Sequence, residues 1–372
     1  MTQNNNSTTD IDRYWKFRAQ NLPQSGFQNY VPVDAVEVKI LDACNRACTF
    51  CVNEDYSGKQ VNLFDSTLFL HSLFDWVDDP YEAEKPAALY LTGGEPLIAL
   101  DEVEKIVRPV AERQIATRLV TNGTLLNKQR VSRLAEMGLT GVKVTYTSTE
   151  SERLFKIVKG SHREDPQRLL DGIRRAKDAG LWTFVRIGIG RHNYDEVVKI
   201  YQLMRDIGVD VIQMKPWIAS GLAAINSDEL LLNPEELLTL FSQTAEAIGI
   251  EALQATKPEL TVSCYPPARS FGYTVKDCAN ISKIYCEPSG NALICNFADE
   301  YLGSWRPEDG GLGAVVRRRR EIYQQTIDEH GVASCPARFN WSEPQAVVSP
   351  VPTDWKKRKE GDINELPAGT NT

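Results

Sequence analysis

Between residues 35 and 220 the chain alternates short apolar runs with helix-like stretches, and no other feature limits its fold as tightly. Ala35 to Leu41 (AVEVKIL) places Val36, Val38 and Ile40 on one face of an extended segment, the period-two signature of a strand. Runs at 87–91, 116–120, 141–147, 182–189 and 209–214 read the same way, with helix-like stretches near 66–78, 101–113, 127–137, 165–179 and 194–207 between them. Strands separated by helices pair in parallel through right-handed crossovers, so the expectation is an α/β fold whose sheet is covered by helices. Periodicity alone does not separate a barrel from an open doubly wound sheet. In either, the working face lies at the carboxyl ends of the strands.

The first strand runs straight into Cys44-Asn45-Arg46-Ala47-Cys48-Thr49-Phe50-Cys51. Three thiolates spaced by three and two residues can converge from one loop on three irons of a cubane cluster, leaving the fourth iron without a protein ligand. Zinc usually takes four ligands in paired Cys-x2-Cys knuckles, and neither a second knuckle nor a clustered His pair follows, so zinc is the weaker reading. Other chemistry-bearing residues fall at strand ends. Thr92-Gly93-Gly94-Glu95-Pro96 follows the second strand, where glycines let backbone approach a bound group and Pro96 stiffens the exit. Thr121-Asn122-Gly123 ends the third, and Thr145-Tyr146-Thr147 closes the fourth with hydroxyls suited to hydrogen bonding. Arg186-Ile187-Gly188-Ile189-Gly190 forms the fifth, with a guanidinium suited to a carboxylate, and Met214-Lys215-Pro216-Trp217 ends the sixth.

The Cys-x3-Cys-x2-Cys loop, with Phe50 before its last cysteine and Gly-Gly-Glu-Pro after the next strand, resembles the radical S-adenosylmethionine (radical SAM) superfamily. The resemblance implies a partial (β/α)6 TIM-like barrel over 35–220. It also implies a 4Fe-4S cluster on Cys44, Cys48 and Cys51, whose open iron chelates S-adenosylmethionine; electron transfer then yields a 5'-deoxyadenosyl radical that removes a substrate hydrogen. By the same resemblance, Phe50, Gly93, Gly94, Glu95, Pro96, Asn122, Thr145, Thr147, Arg186 and Met214 are candidate S-adenosylmethionine contacts.

A second cysteine group, Cys264, Cys278, Cys286, Cys295 and Cys335, lies in a turn-rich stretch with Gly290-Asn291 at a hairpin position. This layout resembles the SPASM or shorter twitch extension of radical SAM enzymes and implies one auxiliary 4Fe-4S cluster. Cys278, Cys295 and Cys335 are the expected ligands, with Cys264 the candidate fourth. A full SPASM domain needs seven cysteines and a block that is absent here, so two clusters are not expected. Cys286 is then left over, and the resemblance makes it a candidate hydrogen donor to a substrate radical, while a buried packing thiol is the plainer role.

Of 372 residues, 42% are hydrophobic and 25% charged, with a net charge of -8, which argues against a nucleic-acid or anionic-membrane partner. No apolar run reaches membrane-spanning length and the N-terminus lacks a signal pattern, so a cytoplasmic location is expected, where cysteines serve metals or redox chemistry rather than disulfides. The expected organisation is a partly disordered arm over 1–34, the barrel over 35–220, a linker with a helix opening at Asn233-Pro234 over 221–255, a small C-terminal twitch/SPASM-like domain over 256–345, and a tail over 346–372. His71, His162, His192 and His330 are isolated in sequence, and Arg317 to Arg320 read as the charged face of an amphipathic helix. The functional expectation is an oxidoreductase or epimerase acting on a small aminosugar- or aminocyclitol-like intermediate, served by a flavodoxin- or ferredoxin-type reductant. A peptide-modifying enzyme and a non-catalytic iron-sulfur electron carrier are the alternatives.

Overall fold

The computed structural model describes residues 32–52, 62–159, 166–219, 221–249, 258–262, 282–295 and 298–330. The six expected strands form within about two residues of their expected bounds: β1 (Ala35–Lys39), β3 (Ala88–Thr92), β4 (Ala116–Thr121), β5 (Gly141–Tyr146), β7 (Trp182–Ile189) and β8 (Val211–Pro216). Two short strands, β2 (Ala47–Cys48) and β6 (Val158–Lys159), pair with each other away from the main sheet. The helices that link the main strands are α1 (Ser66–Val77), α2 (Leu100–Glu112), α3 (Lys128–Glu136), α4 (Ser151–Ile157), α5 (Pro166–Asp178) and α6 (Val197–Ile207). Their starts are set locally. Asp65 accepts from the Leu68 amide at 2.9 Å and Asn127 from the Arg130 amide at 2.9 Å, satisfying first-turn donors that the helix itself leaves open.

All pairings from β1 through β8 are parallel, and the strands lie in the sheet in chain order. A doubly wound sheet reverses its order in the middle. This one does not, so right-handed crossovers put every helix on one side, which is the winding of a barrel. On that side Val36, Val38, Leu89, Leu91, Leu119, Val144, Val185 and Ile187 are at most 1% exposed and pack under Phe69, Leu73, Ile106, Val107 and Ile200. Each such side chain contributes about 1.5–3 kcal/mol by leaving water. The opposite, inner face carries Glu37, Tyr90, Arg118, Lys143, Thr145, Arg186, Gln213 and Lys215, all part-buried.

The sheet runs past the boundary expected at residue 220. The helix α7 (Pro234–Ile248) starts as the sequence predicts, with Asn233 and Glu236 exchanging backbone-to-side-chain hydrogen bonds of 2.8 and 2.9 Å. It leads to β9 (Glu259–Val262), which extends the parallel sheet beside β8. At the other edge β10 (Lys283–Cys286) pairs in parallel with β1, and β11 (Asn291–Cys295) and β12 (Ala298–Ser304) follow antiparallel. The last helix, α8 (Gly311–His330), packs on α1, where Ser72 accepts from the Leu312 amide at 2.8 Å. Trp305 is wholly buried against Phe64 and Phe69 at the same junction. The arginine run lies on α8 with Arg317 and Arg318 exposed, but Arg319 is wholly buried 3.7 Å from Glu84 and over the ring of Tyr323. Among the described residues no helix is long and apolar enough to cross a membrane.

Candidate active site

The cysteine loop leaves the carboxyl end of β1 and is fastened from several directions. The Gly93-Gly94-Glu95 strap lies along its start: the Gly94 amide donates to Leu41 O at 2.8 Å and the Glu95 amide to Ala43 O at 2.9 Å. A Cβ on Gly94 would stand 2.0 Å from Ala43 O, and one on Gly93, at φ +152°, 2.7 Å from Leu41 O. These glycines therefore serve close backbone approach to the loop itself. Farther along, β2 pairs with β6, and the Thr49 amide donates to Ile157 O at 2.9 Å. The segment after β8 closes the last side: the Leu222 amide donates to Cys51 O at 2.8 Å, and Asn226 Nδ2 to Thr49 O at 3.1 Å.

Glu95 ties the strap to the third motif. Its carboxylate, fully buried, accepts from Thr121 Oγ1 at 2.8 Å, the Asn122 amide at 2.8 Å and the Leu97 amide at 3.1 Å. Burial pushes its pKa up, against these donors and the charge of Arg46. Pro96 opens the short helical turn that follows and is buried. Asn122 then reaches the cysteine loop: its Nδ2 donates to Asn45 Oδ1 at 2.8 Å and lies 3.8 Å from the Cys44 sulfur, and its carbonyl accepts from Arg46 Nη1 at 3.4 Å. Asn45 Nδ2 in turn donates to Thr124 Oγ1 at 3.0 Å. The three motifs thus form one hydrogen-bonded body.

Cys44, Cys48 and Cys51 are each partly exposed at the surface of that body. Burial pushes the Cys44 thiol up to about 11, with the charges of Glu95 and Cys51 adding to the shift and donors from Arg46 and Asn122 opposing it. Among the described residues no group of three or more His, Cys, Asp or Glu side chains is gathered closely enough to hold a metal ion. The fit to a cluster rests on the donor chemistry: three sulfurs on one braced loop, with N–H groups directed at Cys44, are what a thiolate-bound iron cluster uses.

The other candidates divide by strand parity. Thr145 and Arg186 face each other across the β5–β7 pairing on the inner face, and Arg186 Nε donates to Gln213 at 3.0 Å. Thr147, buried, has its carbonyl held by Asn193 Nδ2 at 2.5 Å; the same amide donates to Gly188 O at 2.7 Å and joins the two strand ends. Phe50 stacks on Trp217, ring centroids 4.0 Å apart and 9° from parallel. The Trp217 indole covers Gly188 and Gly190, where a Cβ would meet it at 2.1 and 2.8 Å, so these glycines make room for a ring rather than standing bare.

Two candidates lie elsewhere than expected. Met214 is 1% exposed in the apolar core beside Ile212, on the helix-covered side of β8; Gln213 and Lys215 take the inner face. Cys286 is wholly buried in the same core, in register with Val38, and burial pushes its thiol far up. Lys283 and Tyr285, of the opposite parity on β10, take the inner face, with Lys283 3.3 Å from Glu37. A hydrogen donor must face the substrate, so the placement of Cys286 is that of a packing thiol. Cys264, Cys278 and Cys335 lie outside the described residues, as does the side chain of Cys295 at the end of β11. Sequence reading missed Glu37, Lys143 and Lys283; their signal was a charged residue inside an otherwise apolar parallel strand.

Residues 38–204 match the Radical SAM superfamily model, a family that uses S-adenosylmethionine and a 4Fe-4S cluster. The PqqA peptide cyclase of Granulibacter bethesdensis is 26% identical over 219 residues, 58% of this chain and 56% of that protein, so the chain spans little more than half that relative's length. The GTP 3',8-cyclase of Aquifex aeolicus is 25% identical over 297 residues, 72% of this chain and 83% of that protein. Among solved structures, anSMEcpe with bound AdoMet superposes with a TM-score of 0.60 at 16% identity, covering 77% of this chain and 82% of that one. Streptococcus suis SuiB bound to the precursor peptide SuiA gives 0.57 at 12% identity, covering 79% and 67%. These likenesses establish the fold, a partial barrel with antiparallel strands added at its C-terminal edge.

Proposed function

We propose that this chain is a radical SAM oxidoreductase that removes hydrogen from a small polar substrate held on the inner face of the barrel. The observation that carries the reading is the joining of the cysteine loop, the Gly-Gly-Glu strap and Asn122 into one body at the carboxyl ends of the strands that bear Glu37, Lys143 and Arg186. When bound, the cluster and S-adenosylmethionine supply a carbon radical strong enough to take hydrogen from an unactivated C–H bond.

The chain's own residues hold and aim. Cys44, Cys48 and Cys51 would hold three irons of the cluster, and N–H donors at Cys44 would tune that sulfur. The strap backbone, Asn122, Thr145, Thr147 and Arg186 offer hydrogen bonds to the methionyl and ribose groups, and Phe50 with Trp217 offers the aromatic surface for adenine. The inner face orients the substrate and keeps water out. With Cys286 turned into the core, net hydrogen removal is favoured over epimerisation. Cys264, Cys278, Cys295 and Cys335 would hold an auxiliary cluster able to accept the electron that the substrate gives up, with a proton, after losing its hydrogen atom, and a flavodoxin- or ferredoxin-type reductant in the cytoplasm would supply the electron that starts the reaction.

A second reading, modification of a peptide, draws on the relative named as a peptide cyclase. Deuterium transfer separates the two. Reconstituted enzyme is incubated anaerobically with S-adenosylmethionine, dithionite and deuterated polar metabolites or deuterated peptides. Deuterium in 5'-deoxyadenosine from the small-molecule arm supports the proposal, and label only from the peptide arm moves the substrate class. Absence of any 5'-deoxyadenosine overturns the enzyme reading.

A further inference from the structure

The inner face holds an unusual balance of charge. Among the described residues the charges of Arg186, Lys283 and Lys215 bear on Lys143, opposed by the carboxylate of Glu37. Lys283 is already 3.3 Å from that carboxylate. Arg118 lies lower on the same face, its guanidinium over Trp182 at 4.2 Å and bonded to the Tyr90 hydroxyl at 2.6 Å. Lys143 differs from these. Its ammonium rests 4.2 Å from the Phe184 ring centroid, and among the described residues it has neither a hydrogen-bond acceptor nor an ion pair.

A half-buried cation without an acceptor lowers the stability of a fold, and an apolar side chain of the same length would remove that burden. Burial, reinforced by Arg186 and Lys283, accordingly holds the Lys143 amine well below the usual lysine range. Lysine at this position gains a purpose once an anion enters among these cations. The anion restores the ammonium, accepts its protons in hydrogen bonds, and draws on Arg186 at the neighbouring strand.

We propose that the substrate of this barrel carries an oxyanion, a phosphate or a carboxylate, and that Lys143 is the residue that receives it. The inference rests on the reading of the inner face as the substrate site, and it narrows the substrate to an anionic class. Thr145, one pleat above Lys143 on β5, stands between this anion and the cysteine loop. The anion thus anchors the far end of the substrate while its reacting C–H bond points toward the strand ends.

The test is the thermal melting of the reconstituted full chain in inorganic phosphate or acetate against chloride at equal ionic strength, with and without saturating S-adenosylmethionine. Wild type is expected to melt several degrees higher in phosphate or acetate, whichever matches the group it binds. Lys143→Met is expected to melt above wild type in chloride, to lose the anion-dependent rise, and to weaken phosphate or acetate binding in calorimetry by about tenfold or more. Lys143→Arg should keep part of the response, and Lys105→Ala, at an exposed cation, all of it. A full anion response in Lys143→Met overturns the proposal, since it marks general salt exclusion. A wild-type response that S-adenosylmethionine abolishes also overturns it, because the anion would then occupy the place of the methionyl carboxylate. Cluster spectra recorded with S-adenosylmethionine on the same samples keep the two claims apart: a spectral change without an anion response sinks this inference alone, and no spectral change sinks the functional reading beneath it.

Discussion

Glu95 is a candidate S-adenosylmethionine contact, yet within the chain its carboxylate already accepts three hydrogen bonds, two of which tie the strap to the end of β4. Glu95→Ala leaves those donors without an acceptor, at about 1–3 kcal/mol for each that stays buried. The expected outcome is a lower melting temperature together with reduced iron retention, measured side by side. Retained iron in a destabilised variant would place Glu95 in the fold but not in the support of the loop. His192 offers a second residue-scale test. Burial holds its pKa down to about 3, and both ring nitrogens lack hydrogen-bond partners among the described residues. From pH 6.5 downward the unfolded chain binds a proton that the folded chain refuses. Stability from this group is therefore complete above 6.5 and falls by about 1.4 kcal/mol for each unit below it. Urea melts at pH 7.5 and 5.5 should show that loss in wild type, and His192→Leu should lack about 1.4 kcal/mol of it.

At the scale of elements, the strap and the cysteine loop behave as one piece because no side chain separates them. Gly94→Ala would drive a Cβ to 2.0 Å from Ala43 O, which is backbone and cannot rotate away. The expected cost is about 1–3 kcal/mol or more, with displacement of the loop. It is read as lost melting temperature and as fewer irons bound on reconstitution, and a variant with wild-type iron content would refute the coupling. The same scale shows what the sequence made legible. Strand bounds and helix starts were readable because period-two runs and Asn or Asp caps are local signals, as at Val36 to Ile40 and Asn233. Parity was not. Whether Met214 or Lys215 faces inward, and whether Cys286 or Lys283 does, is decided by pairing with β7 and β1, which lie far away in the chain. Glu95 was legible as a motif residue, but its partners Thr121 and Asn122 follow from how β3 and β4 align.

Across the described residues the sheet is continuous from β12 to β9, so the antiparallel strands of the C-terminal segment extend the same sheet as the barrel strands. β10 covers the edge of β1, the strand that carries the cysteine loop, and Trp305 fills the junction between α1 and the segment leading to α8. Trp305→Ala should cost about 3–5 kcal/mol, and a chain cut at residue 255 should be aggregation-prone through its exposed β1 edge, as light scattering would show. A soluble, cooperatively melting fragment would contradict that account. The central claim is that Cys44, Cys48 and Cys51 hold a cluster with one iron open to S-adenosylmethionine. Its most direct test is electron paramagnetic resonance of the reduced, anaerobically reconstituted protein before and after S-adenosylmethionine, with the triple Cys44→Ala/Cys48→Ala/Cys51→Ala variant beside it. The account predicts a cluster signal that S-adenosylmethionine shifts in wild type, and no shifted signal, with about four fewer irons per chain, in the variant. A wild-type signal indifferent to S-adenosylmethionine, or equal iron in both proteins, would contradict it.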